Sequence, residues 1–294
     1  MTSREATGLL PRAQAGAEWS RRKRTLRDWA TLFAFGPINT PWLLKSLHGG
    51  SKQRKRALLE RLDLPEGALP HLGSWKADVG LLALVADHIL ATKPKVVVEF
   101  GAGASTLIIA RALQMAGGGL HIAFDQHGDF VEATRNWLAE HGLAADLRAA
   151  PLVPALGGWA GLWYDHEPLP DAIDFMLIDG PPWTIHPFTR GAAATLFGRI
   201  TPGGTIMLDD GARPGERVIA RRWRKMWPDF DFRLLKSGTK GTLVGTRVRE
   251  PDGFTLTHRH CERSEAIQTG AGSDWIASSL ALLAMTIQTY FIAL

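Results

Sequence analysis

Lys95-Val96-Val97-Val98-Glu99-Phe100-Gly101-Ala102-Gly103-Ala104-Ser105 opens on a β-branched run, which favours extended backbone, and breaks at two glycines. Residues 105–115 then carry helical periodicity and end at Gly117-Gly118-Gly119. Glycines between a strand and a helix let the backbone turn tightly and approach a ligand. The helix start beyond them presents free N–H groups. The third glycine of a dinucleotide fingerprint would fall at Thr106, and no Gly-Lys-Ser/Thr follows, so neither a nicotinamide site nor a P-loop is a good match.

The same alternation extends in both directions. Upstream, Leu81, Leu82, Leu84, Val85, Ile89 and Leu90 trace a helix that Pro94 stops. Downstream, residues 121–125 read as a strand and 130–141 as a helix closed by Gly142. A weak strand at 146–150 and a strong one at 172–179 follow, then a helix over 188–199, a strand over 204–210 and a helix over 216–226. Residues 232–235 and 242–247 are two strands with no helix between them, hence a hairpin. The expected fold is α/β: a Rossmann-like, mainly parallel seven-stranded sheet with helices on both faces and a C-terminal antiparallel hairpin.

In such a sheet, ligands bind beyond the carboxyl ends of the strands, and acids stand at several of those ends. Asp125 closes the second strand 22 residues after Gly103, where a carboxylate can accept hydrogen bonds from both hydroxyls of a ribose. A surface acid at a strand end is the plainer alternative. Asp179 closes the fourth strand in Ile178-Asp179-Gly180-Pro181-Pro182-Trp183, and Asp209-Asp210 close the fifth. Carboxylates brought that close repel one another unless a cation or a proton lies between them. Mg²⁺ is one natural occupant; capping of neighbouring helices is the other reading.

The order Val97-Val98-Glu99-Phe100-Gly101-Ala102-Gly103, Asp125, Asp179-Gly180-Pro181-Pro182, Pro202-Gly203-Gly204 and Asp209-Asp210 resembles class I S-adenosylmethionine-dependent methyltransferases over roughly residues 75–250. More narrowly it resembles the bacterial group related to catechol and caffeoyl-CoA O-methyltransferases. The resemblance implies S-adenosylmethionine as cofactor, held by Glu99, Gly101, Gly103, Ser105, Asp125 and Asp179. It also implies a divalent ion, Mg²⁺, on Asp179, Asp209 and Asp210, with Asp210 standing where Asn is commoner. Trp163-Tyr164-Asp165 resembles a Trp-Tyr element of the same group, and Arg190 sits where a basic residue often follows the fourth strand. Gly180-Pro181-Pro182-Trp183 approaches the signature of amino-group methyltransferases without meeting it, since Gly180 supplies no side-chain clamp. No Pro-Cys pair serves cytosine C5 chemistry. Asp179 and His186 are the candidate catalytic residues; a histidine titrates near neutral pH and can serve as a base.

The ends of the chain read differently. The net charge is +5, but residues 1–76 alone hold 14 Lys/Arg against 6 Asp/Glu, including Arg21-Arg22-Lys23-Arg24, so the basic character belongs to the N-terminal quarter. A solvated helical extension packed on the core is the ordinary reading; contact with an anionic membrane or RNA is the sharper one. The apolar stretch 29–47 is cut by Pro37 and Pro41 and fits neither a spanning helix nor a signal segment. From His260 the sequence resembles a translated bacterial DNA repeat, and Trp275 to Leu294 carry no charge. The expected division is 1–76 extension, 77–256 catalytic domain, 257–294 non-core tail. Cys261 is the single cysteine, which excludes disulfide frameworks and fits the reducing cytoplasm. The leading expectation is methylation of a hydroxyl on a small-molecule acceptor. Its rival is a non-catalytic carrier of the fold, recruited to RNA or membrane by the basic segment.

Overall fold

The computed structural model describes residues 25–74 and 76–248. The basic run 21–24, Cys261 and the apolar tail lie outside the described residues. Strand β1 (Val96–Phe100) is flanked in parallel by β2 (Leu120–Asp125) and β6 (Ile173–Ile178). Outside these lie β3 (Asp146–Ala149) and β7 (Ile200–Leu208), both parallel to their neighbours. The hairpin of β8 (Phe230–Leu235) and β9 (Thr242–Arg247) adds β9 antiparallel to β7. The order β3-β2-β1-β6-β7-β9-β8 is the expected Rossmann-like, mainly parallel sheet closed by an antiparallel hairpin.

Successive side chains of a strand point to opposite faces, and β1 shows the consequence. Val97 enters one core with α3 (Val79–Thr92), α4 (Ala104–Met115) and α5 (Gly128–Glu140). Val98 and Phe100 enter the other, with Phe197 and with Trp223 of α6 (Pro214–Met226). Both residues of β1 are fully buried, as are Phe175 and Leu177 on one face of β6 and Met176 and Ile178 on the other. Continuous apolar runs are what a strand covered on both faces requires.

Four local features add detail to the expected pattern. Helix α1 (Leu26–Ser46) runs unbroken through Pro37 and Pro41. Both prolines are exposed, so the carbonyls that lose their N–H partners, those of Phe33 and Pro37, can turn to water. Helix α2 (Lys52–Arg61) starts after Ser51, whose hydroxyl accepts from the Arg54 N–H as its cap. Residues 189–199 wind as a 3₁₀ helix, a narrow coil that passes beneath the Trp159 ring; a Cβ on Gly191 would come within 2.0 Å of that ring. A separate hairpin, β4 (Leu152–Pro154) with β5 (Leu162–Tyr164), is too short to show periodicity. Among the described residues no helix is long and apolar enough to cross a membrane.

Candidate functional site

The ends of four adjacent parallel strands are stitched together by backbone hydrogen bonds. Gly101 and Ala102 N–H both donate to the Phe124 carbonyl at the end of β2, at 2.9 and 3.1 Å. Asp179 and Gly180 N–H donate to the Phe100 carbonyl at the end of β1, at 2.8 and 2.7 Å, and Asp209 N–H to that of Ile178 at 3.0 Å. Each loop therefore rests on the strand beside it. Gly101 has φ +100°, and a Cβ there would stand 2.6 Å from the Gly180 nitrogen, so the two loops touch because both residues are glycine. Gly103 precedes α4, and its N–H is held by the Thr106 hydroxyl at 2.8 Å. The next N–H groups, those of Ala104 and Ser105, start a helix and lie beyond the reach of its carbonyls.

Asp125 accepts from the His127 N–H at 2.9 Å, and burial pushes its carboxyl up to about 7 against that hydrogen bond. Glu99 is fully buried and pairs with His121 through Nε2 at 3.1 Å, so it braces β1 against β2. Tyr164, reaching in from the β4–β5 hairpin, stacks on Phe100 at 5.6 Å. Its buried hydroxyl has no hydrogen-bond partner among the described residues and presses on Gly180, whose Cβ would stand 2.1 Å away. A buried, unpaired hydroxyl between the two glycine turns is suited to a ligand that would enter there.

Asp179, Asp209 and Asp210 bring carboxylate oxygens within 4.8 Å of one another, as expected of residues at neighbouring strand ends. Cations are already among them. The Lys240 Nζ is 2.9 Å from Asp209 Oδ2 and 3.0 Å from Asp210 Oδ1. Arg190 lies 3.0 Å from Asp210 and 3.5 Å from Asp179, and Arg213 is 2.8 Å from Asp210. Arg190 also donates to the backbone carbonyls of Asp179 and Pro181. Glu216, from the first turn of α6, is 3.9 Å from Arg190.

Burial works against every charge in this cluster, and the neighbours decide which wins. For Lys240, burial is overcome by Asp209 and Asp210, which hold its pKa above the ordinary lysine value. For Asp210, burial is overcome by Arg213, Lys240 and Arg190, and its pKa falls well below the ordinary carboxylate value. For Asp179, burial and then Asp209 push the pKa well above the ordinary range. Asp179 is also the most open of the three, its side chain 12% exposed against 2% and 3% for Asp209 and Asp210.

This donor set does not fit a divalent ion as it stands. The oxygens that would ligate it are paired with an ammonium and two guanidinium groups. A dication about 4 Å from Lys240 would meet roughly 8 kcal/mol of repulsion at an effective dielectric of about 20.

His186 lies on the loop that leads into the 3₁₀ helix. Its Nδ1 accepts the Phe188 N–H at 3.1 Å, its Nε2 is 3.9 Å from Asp28 of α1, and its Cβ packs on Gly161. Ser105 is buried in the first turn of α4. Tyr164 and Arg190 stood in the sequence only as soft matches, whereas Lys240, Arg213 and Glu216 gave no signal. Lys240 is one of two lysines in a hairpin turn, 31 residues from Asp209, and only the pairing of β8 with β9 and β9 with β7 brings it back.

Residues 98–211 match the family model described as a methyltransferase domain. No curated protein matches the chain. Among solved structures, a methyltransferase from Geobacter sulfurreducens is similar at 14% identity, covering 82% of this chain and 100% of that one, with a TM-score of 0.43. An O-methyltransferase from Bacillus cereus, solved with S-adenosylhomocysteine, shows 14% identity over 67% of this chain and 92% of that one, at a TM-score of 0.45. One from Streptomyces achromogenes, solved with S-adenosylmethionine, shows 14% identity over 76% and 100%, at 0.42. The segment that matches the methyltransferase-domain model holds the glycine turn, Asp125 and all three clustered aspartates.

Proposed function

We propose that the protein transfers the methyl group of S-adenosylmethionine to a hydroxyl of a small-molecule acceptor in the cytoplasm. The observation that carries this reading is the convergence of Asp125, the Gly101–Gly103 turn and the Asp179 turn at the ends of β2, β1 and β6. When bound, S-adenosylmethionine supplies an electrophilic methyl on a sulfonium. The chain supplies position, shape and a proton acceptor.

Asp125 would accept the ribose hydroxyls, and the free N–H groups at the start of α4 would receive the carboxylate of the methionine part. The Tyr164 hydroxyl, between the two glycine turns, would contact the donor near its reacting end. The aromatic wall of Phe100, Trp163 and Tyr164 excludes water from that side. The acceptor hydroxyl would lie against Asp179, the open member of the carboxylate cluster. In its ionised form Asp179 would take the hydroxyl proton as the oxygen attacks the methyl carbon in line. Gly180 in place of a clamping side chain disfavours an amino acceptor and supports oxygen.

The test is S-adenosylhomocysteine binding by calorimetry, together with transfer of a labelled methyl group to a panel of hydroxylated acceptors. Asp179→Asn should retain binding within about threefold and lose about 10²- to 10⁴-fold in transfer. A variant that transfers at the wild-type rate would remove Asp179 as the proton acceptor.

A further inference from the structure

We infer that Lys240 takes the place of a divalent cation in this carboxylate cluster, so that the enzyme neutralises its acids with its own ammonium and works without metal. The inference concerns the acceptor side of the site and rests on the methyl-transfer reading.

Three observations carry it. First, Nζ lies 2.9 Å from Asp209 and 3.0 Å from Asp210, and a cation bridging two carboxylates on neighbouring positions does electrostatically what a bound ion would do. Second, Lys240 is 2% exposed, so its ammonium sits among the carboxylates and not in water. Third, its turn is anchored from elsewhere. Asp78, which caps α3, accepts from Thr239 N–H and hydroxyl at 2.6 and 2.7 Å, and a Cβ on Gly238 would stand 2.3 Å from the same carboxylate. The flanking Gly238 and Gly241 both have positive φ, +73° and +69°, which a turn built from bulkier residues would resist. The lysine is thus delivered by a fixed turn, in contrast to a surface lysine that happens to fall near acids.

Asp210 fits the same account. It is a non-glycine residue at φ +60°, a conformation that costs energy and points its carboxylate at Lys240, Arg190 and Arg213 together. A metal ligand needs free lone pairs; this carboxylate faces three cations.

The experiment titrates full-length protein with Mn²⁺ and follows the free-ion signal by electron paramagnetic resonance, which needs no acceptor. Wild type should leave the signal unchanged, and its methyl transfer should survive a chelator and gain nothing from added Mg²⁺. Lys240→Met opens the oxygens and should bind Mn²⁺ at least about tenfold more tightly than wild type. Stoichiometric Mn²⁺ binding by wild type, or transfer lost in chelator and restored by metal, overturns the inference. So does a folded Lys240→Met that binds no more Mn²⁺ than wild type. If Lys240→Met fails to fold, Lys240→Gln is the second variant, read the same way. Loss of S-adenosylhomocysteine binding by wild type would strike the methyl-transfer reading instead, while the Mn²⁺ titration would still decide the role of Lys240.

Discussion

The two halves of the cleft are built on opposite plans. At the ends of β1 and β2, the site is made of backbone turns, one helix start and Asp125, all within residues 101–127, with the Tyr164 hydroxyl reaching in from the β4–β5 hairpin. At the ends of β6 and β7, it is made of side-chain charges gathered from Asp179, Arg190, Asp209, Asp210, Arg213, Glu216 and Lys240. The first half leaves polar groups unpaired and waiting; the second has paired nearly all of its own. A region of the first kind gains its partners from a ligand, while one of the second kind already contributes to the fold. The difference predicts where substitutions will damage binding and where they will damage stability.

The largest effect belongs to the charged half. Lys240→Met leaves Asp209 and Asp210 buried without one of their cations, and stability should fall by about 3–5 kcal/mol in denaturant unfolding. A loss below about 1 kcal/mol would mean that Arg190 and Arg213 suffice, and the contrast between the halves would narrow.

Asp125 should behave in the opposite way. Removing a charge-assisted acceptor costs about 1.5–3 kcal/mol of binding, so Asp125→Ala should weaken S-adenosylhomocysteine by roughly 10- to 100-fold. The fold should lose little, since the same change removes a buried carboxylate. Equal affinity in the two proteins would take Asp125 out of the cofactor half.

Gly101→Ala tests the seam between the halves. The new Cβ would stand 2.6 Å from the Gly180 nitrogen at φ +100°, so the loops must separate, at about 1–3 kcal/mol of stability. The damage arises within the protein, before any ligand enters, and thermal unfolding without ligand should reveal it.

The smallest effect is one of pH. The folded Asp125 carboxyl holds its proton up to about 7, against 3.8 ordinarily. Between these values the folded state binds more protons than the unfolded one, so the stability from this group falls as pH rises from about 4 to about 7. A ligand that needs the ionised form reverses the trend for binding. Affinity for S-adenosylhomocysteine should drop as pH falls below about 7, by up to about tenfold per unit, and Asp125→Asn should flatten that slope. An identical slope in the variant would assign the titration to another group.

Most of the sheet was legible because its evidence is local. A β-branched run closed by glycine and followed by helical spacing is written within a dozen residues, as at Val96–Phe100 and α4. The three aspartates were legible for the same reason, one closing the fourth parallel strand and two closing the fifth. What the sequence concealed depends on long-range packing. A lysine in a hairpin turn carries no mark of the acids it meets. The Pro37 and Pro41 pair left the extent of the first helix unmarked because exposure, which makes the lost hydrogen bonds cheap, is a property of the fold. The β4–β5 hairpin was invisible since strands of three residues have no period to detect.

The bond from Thr239 to Asp78 spans 161 residues and joins the cap of an early helix to the last turn of the sheet. During synthesis, Asp78 leaves the ribosome long before its partner, and Asp209 emerges 31 residues ahead of Lys240. The nascent chain must therefore carry its acids in water, wet or protonated, until the final hairpin docks. Contacts of such high sequence separation form late because their loop closure is costly. The carboxylate half of the cleft is consequently completed only when this hairpin docks, and a product truncated before Lys240 cannot contain it.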